Sequence, residues 1–189
     1  NIETLPAGFY QEQELVKLLL MYGNNEIDID GFDENDNPVV YRINVAAFII
    51  DDLKNDDILF KDETHRMIFD IFDKALDDEV IPKEQFFASH ENEKIAELAA
   101  NLLSSKYKLD NWEKHEIKVK TETDVLSKMV YTSILRFKDM VIDEKRIELT
   151  RQIMETPDID NQIILLAKKK KLDDLRIKIN KELGIVIAK

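Results

Sequence analysis

The stretch TETDVLSKMVYTSILRFKDMVIDEKRIELTRQIME, residues 121–155, contains neither glycine nor proline. Thr156-Pro157 ends it, and a second proline-free run continues to Gly184. Proline removes a backbone donor and glycine weakens a helix interior, so their absence over this length predicts one very long helix followed by a shorter one. At the standard helical rise the first run spans about 50 Å. A small domain is hardly wider than that. The helix is therefore expected to leave the core and carry its partner helix outward. Two helices alone bury little surface, and a protruding hairpin of this kind points to docking on another molecule.

Both ends of these runs carry boundary signals. Thr121-x-x-Asp124 has the form of a capping box. Leu126, Val130, Ile134, Phe137 and Val141 give the first half of the long helix an apolar side that can pack on a preceding bundle. The second half offers only Ile147, Leu149 and Ile153 among many charges. Asp158 suits a helix cap. After it, Ile159, Ile163, Leu166, Leu172, Leu175, Ile179 and Leu183 fall at helical spacing. Lys168 to Lys171 interrupts that stripe and marks a place for a bend. Ile185-Val186-Ile187 then makes an apolar end.

Upstream, residues 1–9 read as a linker remnant. Gln11 to Tyr22 reads as a helix with Leu15, Leu18, Leu19 and Tyr22 on one face and Gly23 as its stop. Between Glu26 and Ile43 the pattern alternates Ile27 and Ile29, then returns with Val39, Val40 and Tyr41 after a polar Asp/Asn run. A small β-hairpin or an ordered loop is expected there. Asn44 caps a helix facing inward through Val45, Phe48, Ile49 and Leu53. Asp62 or Thr64 starts another, with Met67, Ile68, Ile71, Phe72, Ala75 and Leu76 as its stripe. Pro82 suits a first helical turn ahead of Phe86 and Phe87. Asn92 to Leu103 carries Ile95, Leu98, Ala99, Leu102 and Leu103 at amphipathic spacing. Tyr107 to Lys120, with the single Trp112, is a connecting stretch. The fold class is thus mainly α, a helical bundle over residues 1–142 and a C-terminal helical hairpin over residues 143–189.

Only four glycines and four prolines occur in 189 residues, which agrees with long helices and few tight turns. There is no cysteine, so disulfides and thiolate metal sites are excluded and a reducing cytoplasm fits. No apolar run reaches transmembrane length and no signal peptide is visible. The chain opens on Asn1 rather than Met and reads as a processed product or a piece of a longer protein. The net charge of −12 argues against a nucleic-acid groove spread over the surface. It is unevenly spread. Residues 143–189 hold 11 basic and 9 acidic side chains, leaving 16 basic and 30 acidic in the remainder. An acidic body and a faintly basic hairpin suggest two surfaces with different roles.

Nothing in the chain reads as catalysis. His65, His90 and His115 lie far apart, and none has the spacing of a zinc site, so they read as surface or packing histidines. No phosphate-binding glycine loop and no nucleophile elbow occurs. Asp33-x-Asn35-x-Asn37 resembles the start of a calcium loop. Pro38 stands in place of the required glycine, however, and Asn44 in place of the bidentate glutamate, so a polar turn is expected. Phe86, Phe87 and Trp112 read as core, since no basic residues interleave them as in a base-stacking platform.

Taken together, the parts resemble the C-terminal, helicase-binding domain of bacterial replicative DNA primase (DnaG type). The residues that carry the resemblance are Glu12-Gln13-Glu14-Leu15-Val16-Lys17-Leu18-Leu19-Leu20-Met21-Tyr22-Gly23, similar to that family's opening helix. Phe86-Phe87 with His90, then Glu97-Leu98-Ala99-Ala100-Asn101-Leu102-Leu103, and the closing Lys181-Glu182-Leu183-Gly184 add to it. The layout agrees over nearly the whole chain. The acidic segment from Asn24 to Arg42 departs from the family, being longer than the short turn expected there.

The resemblance implies a bundle similar in fold to the N-terminal domain of the replicative helicase. It also implies a terminal hairpin that makes most of the contact with that helicase, a hexamer engaged through its N-terminal region. It implies a parent enzyme of the primase class, a DNA-directed RNA polymerase of the bacterial replisome. This chain would neither synthesise primers nor bind a cofactor, a metal, nucleic acid or a membrane. Apolar residues on the hairpin are expected to stay exposed until a partner covers them. Ile163, Leu166, Leu175, Ile179, Leu183, Ile185 and Ile187 are the candidate anchors. Lys168, Lys169, Lys170 and Lys171 would set approach rate and salt sensitivity. The reading from a different class is a structural adaptor that homodimerises through the same hairpin.

Overall fold

The computed structural model describes residues 5–78, 80–109 and 122–184. Among them the chain is mainly α-helical with one small antiparallel sheet. The order is α1 (Phe9–Tyr22), β1 (Glu26–Phe32), β2 (Pro38–Asn44), α2 (Val45–Asn55), α3 (Glu63–Asp77), α4 (Glu84–Ala88), α5 (Glu93–Leu109), α6 (Glu122–Glu155) and α7 (Ile159–Glu182). The chain divides into two compact units, Asn1–Ser133 and Ile134–Lys189. The division falls inside α6. Within the second unit Leu135 and Ile142 pack with Ile179 of α7, and Leu172 and Leu183 close around them.

In the first unit α1, α2, α3 and α5 pack on one another, with α4 against α5 and α1. The helices form where the apolar spacing places them. Leu15, Leu18 and Leu19 of α1, Ile49 and Leu53 of α2, Ile68 and Phe72 of α3, and Ile95 and Ala99 of α5 are all buried. Each large side chain removed from water in this way contributes roughly 1.5–3 kcal/mol. The Phe72 and Phe87 rings stack with centroids 5.0 Å apart. Phe87 is buried as expected, whereas Phe86, read as core, lies on the surface, its ring T-shaped to those of Phe87 and His90.

The helix starts follow from side-chain capping. Asn44 accepts the Ala47 N–H at 2.8 Å, and Asp62, rather than Thr64, accepts the His65 N–H at 2.9 Å. Two local expectations are corrected. Helix α1 begins at Phe9, behind Gly8 at φ 85°, and so takes in Phe9, read as linker, and Tyr10. Pro82 precedes α4 instead of opening it; its carbonyl accepts from Asn24 Nδ2 at 3.1 Å, so a long-range contact fixes it outside the helix. Thr121, Trp112 and His115 lie outside the described residues.

A polar group sits in the middle of this bundle. Glu12 and His65 are both buried, at 1% and 0% exposure. The Glu12 carboxylate accepts the Lys61 N–H at 2.7 Å and the Asp62 N–H at 3.1 Å, and lies 3.2 Å from His65 Nδ1. It thereby satisfies two backbone donors just ahead of α3, those of Lys61 and of the cap residue Asp62. His65 thus packs as an internal histidine beneath Phe9, whose ring centroid is 4.8 Å away.

The sheet is a single hairpin, in register from Glu26↔Asn44 to Phe32↔Pro38. Its turn is built by Asp33, whose carboxylate accepts the N–H groups of Asn35 at 2.8 Å and Asn37 at 2.9 Å. Asp36 takes the left-handed conformation at φ 60°. Asp33 is spent on its own backbone, as turn chemistry requires.

Candidate protein-docking site

The second unit is an antiparallel helix pair, because residues 139, 143 and 146 of α6 meet 180, 176 and 173 of α7. The connection Thr156-Pro157-Asp158 is tight. Thr156 Oγ1 donates to the Gln152 carbonyl at 2.7 Å, Gln162 Nε2 to the Thr156 carbonyl at 2.6 Å, and Asp158 caps α7 through the Asn161 N–H at 3.2 Å.

Charges hold the inner faces together alongside the apolar contacts. Arg176 donates to Asp139 at 2.9 Å and also to Asp143. Arg146 donates to Asp143 at 2.8 Å and to Asp173 across the pair, and Lys169 reaches Asp173 at 3.5 Å. Asn180 Nδ2 donates to Asp139 at 2.8 Å. Partial burial pushes the Asp173 carboxyl up, but Arg146 and then Lys169 outweigh it and hold the group below its ordinary range. At the end of α6, Arg151 and Gln152 draw Glu148 down to about 2. Helix α7 is continuous through Lys168–Lys171.

The exposed surface of α7 is not wholly polar: Asp160, Asp174 and Lys178 run along its middle, with apolar side chains on both flanks. Ile159, Ile163, Leu166 and Ile177 are exposed and lie along one stripe, with Lys170 in the same row. At 3.6 residues per turn, Ile164, Lys168, Lys171 and Leu175 form a second exposed row on the opposite flank, roughly 140° around the helix from the first. The sequence candidates thus separate. Ile163, Leu166 and Leu175 stand on the outer surface with Lys168, Lys170 and Lys171. Ile179 does not: it is 6% exposed and lies in the helix-pair core, with Leu183 packed against it. Lys169 turns inward to Asp173. Ile185 and Ile187 lie outside the described residues.

Sequence reading left out Ile159, Ile164 and Ile177 as surface anchors, and missed the aspartate–arginine ladder. The signal for the first was present, because α7 is apolar at two helical phases and only one can face α6. On α6, Ile147 and Met154, seven residues apart, are likewise exposed. Among the described residues no group of three or more histidine or acidic side chains is placed to hold a metal. No described helix is long and apolar enough to cross a membrane.

No curated protein and no solved structure matches the chain. A family model described as a domain of unknown function (DUF8430) matches residues 6–186, and the chain belongs to that family.

Proposed function

We propose that this chain is the non-catalytic protein-interaction module of a bacterial DNA primase. In this reading it holds the replicative DNA helicase through the outer face of α7 and ties primer synthesis to unwinding in the bacterial cytoplasm. The observation that supports it is the division of α7. One side is committed to α6 by Leu172, Ile179 and the aspartate–arginine ladder. The other leaves Ile159, Ile163, Leu166 and Ile177 in water. A two-helix element gains nothing for its own stability from isoleucines on its solvent side, and such a row with lysines beside it suits a partner's groove. The identity of the partner comes from the primase resemblance of the opening helix, the Glu97–Leu103 run and the overall layout.

The domain needs no cofactor, metal or nucleic acid for this role, and polymerising chemistry is left to the rest of the parent protein. Size-exclusion chromatography of the chain mixed with the hexameric replicative helicase of the same organism tests it. The two should co-migrate, and a chain lacking residues 161–189 should fail to do so. A peak at twice the chain's mass without helicase, and no helicase complex, would favour the homodimeric adaptor instead.

A further inference from the structure

The β1–β2 hairpin is the segment that departs from the primase-like layout, and it has unused binding capacity of its own. The bonds Val45 N–H to Asn25 O at 2.9 Å and Asp33 N–H to Asn37 O at 3.0 Å fix which residues face each other through hydrogen bonds. Pairs then alternate, so Ile27, Ile29 and Gly31 bond to β2 while the N–H and C=O groups of Asp28 and Asp30, and the N–H of Phe32, point away from it. Among the described residues no third strand takes that edge of β1.

The side chains at the same positions make one face of the ribbon. Asp28 is ion-paired to Arg42 at 2.8 Å. Asp30 lies directly across from exposed Val40, and Phe32 from Pro38. These four residues, with Gly31 and Val39, line an open recess of about 210 Å³. Phe32 is 69% exposed although it sits in a regular strand. The ribbon is held in shape without a partner: the Tyr41 ring covers Gly31, where an added Cβ would lie 2.8 Å from it, and Tyr41 Oη donates to the Phe32 carbonyl at 3.0 Å.

Charge decides what this edge accepts. Between Asn24 and Asn44 there are six acidic side chains and one basic, Arg42, which is already paired. A phosphate backbone is repelled by such a ribbon. A second copy of the chain, net −12, would set acidic edge against acidic edge. We propose that the β1 edge is a docking site for an extended, basic segment of a partner protein. That segment adds as a third strand, placing Lys or Arg opposite Asp28 and Asp30 and an apolar side chain in the recess at Phe32 and Val40. Strand addition supplies affinity through main-chain bonds, and the alternating side chains supply the choice of partner. The site belongs to the first unit and does not rest on the helicase reading.

The test uses the whole chain and a synthetic capped nonapeptide of alternating lysine and valine, with the alternating glutamate and valine peptide as comparison. Amide NMR should show slowed exchange at Asp28, Asp30 and Phe32 and shifts at Val40 when the lysine peptide is added. The glutamate peptide should leave the spectrum unchanged. Asp30→Asn should weaken binding about threefold and reduce its salt dependence, as for an exposed ion pair. Asp30→Pro removes an outward N–H but no β1–β2 bond, and should weaken binding about tenfold or more. Because the proline variant can disturb the ribbon, the asparagine variant is the deciding one. Equal binding of both peptides, shifts mapping to α7 in place of β1, self-association through β1, or an Asp30→Asn variant that binds unchanged would each overturn the proposal.

Discussion

Removing the carboxylate of Glu12 would take the acceptor from the part-buried Lys61 and Asp62 N–H groups and the partner from the buried His65 Nδ1. A buried donor left unpaired costs about 1–3 kcal/mol, and a buried network broken on one side more. Glu12→Ala is therefore expected to destabilise the first unit by about 3 kcal/mol in urea denaturation, and Glu12→Gln by less, since one acceptor survives. A loss under about 0.5 kcal/mol would remove the central role given to this carboxylate. Ile163 and Ile179 make a second comparison, as two isoleucines of one helix in opposite settings. Ile179→Ala should cost about 2–3 kcal/mol of stability, as a methylene cavity in a small core does. Ile163→Ala should leave stability within about 0.5 kcal/mol and instead weaken partner binding by about 2 kcal/mol. Thermal unfolding and binding titration of both variants separate the two roles. The Glu12–His65 pairing had no local signature, because its members lie 53 positions apart and meet only when α1 and α3 pack.

The α6–α7 pair is fastened in part by charge, so its stability should depend on pH in a definite direction. Glu148, paired to Arg151 within α6, is lowered from 4.5 to about 2, and Asp173, which joins α7 to Arg146 of α6, lies below its ordinary 3.8. A carboxyl whose folded value is depressed stabilises the fold fully above its unfolded value and loses that contribution as pH falls through the folded one. Unit-two helicity, followed by far-UV circular dichroism, should be constant above about pH 5 and fall between 4.5 and about 2. Added salt should shrink the change, because the Glu148 pair is exposed and screened. Helicity that rose through this window would contradict the ladder. The existence of both helices was legible in advance, from a long run without glycine or proline and from Asp158 as a cap. The facing of α7 was not. Its apolar residues satisfy helical spacing at two phases, and the choice between them is made by Asp139, Asp143 and Arg146 on a different helix. Pro82 failed for a similar reason: its fixed φ suits a helix start and an extended lead-in equally, and Asn24 selects the second.

Across the whole chain, the two units carry different surfaces. The first is acidic and closed around Leu15, Ile49, Phe72 and Phe87, with the acidic β1 edge left open among the described residues. The second keeps its core on one side of α7 and its isoleucines on the other. That separation of roles is the central claim, and it makes stability and partner binding independently mutable. The most direct measurement is the affinity of the replicative helicase for the whole chain carrying Ile163→Asp together with Leu166→Asp, compared with the unaltered chain at equal helicity. Two buried interface anchors replaced by charges should lower affinity at least a hundredfold, about 2.7 kcal/mol or more, with an unchanged unfolding midpoint. Undiminished affinity in the doubly substituted chain, or no affinity in the unaltered one, would contradict the account.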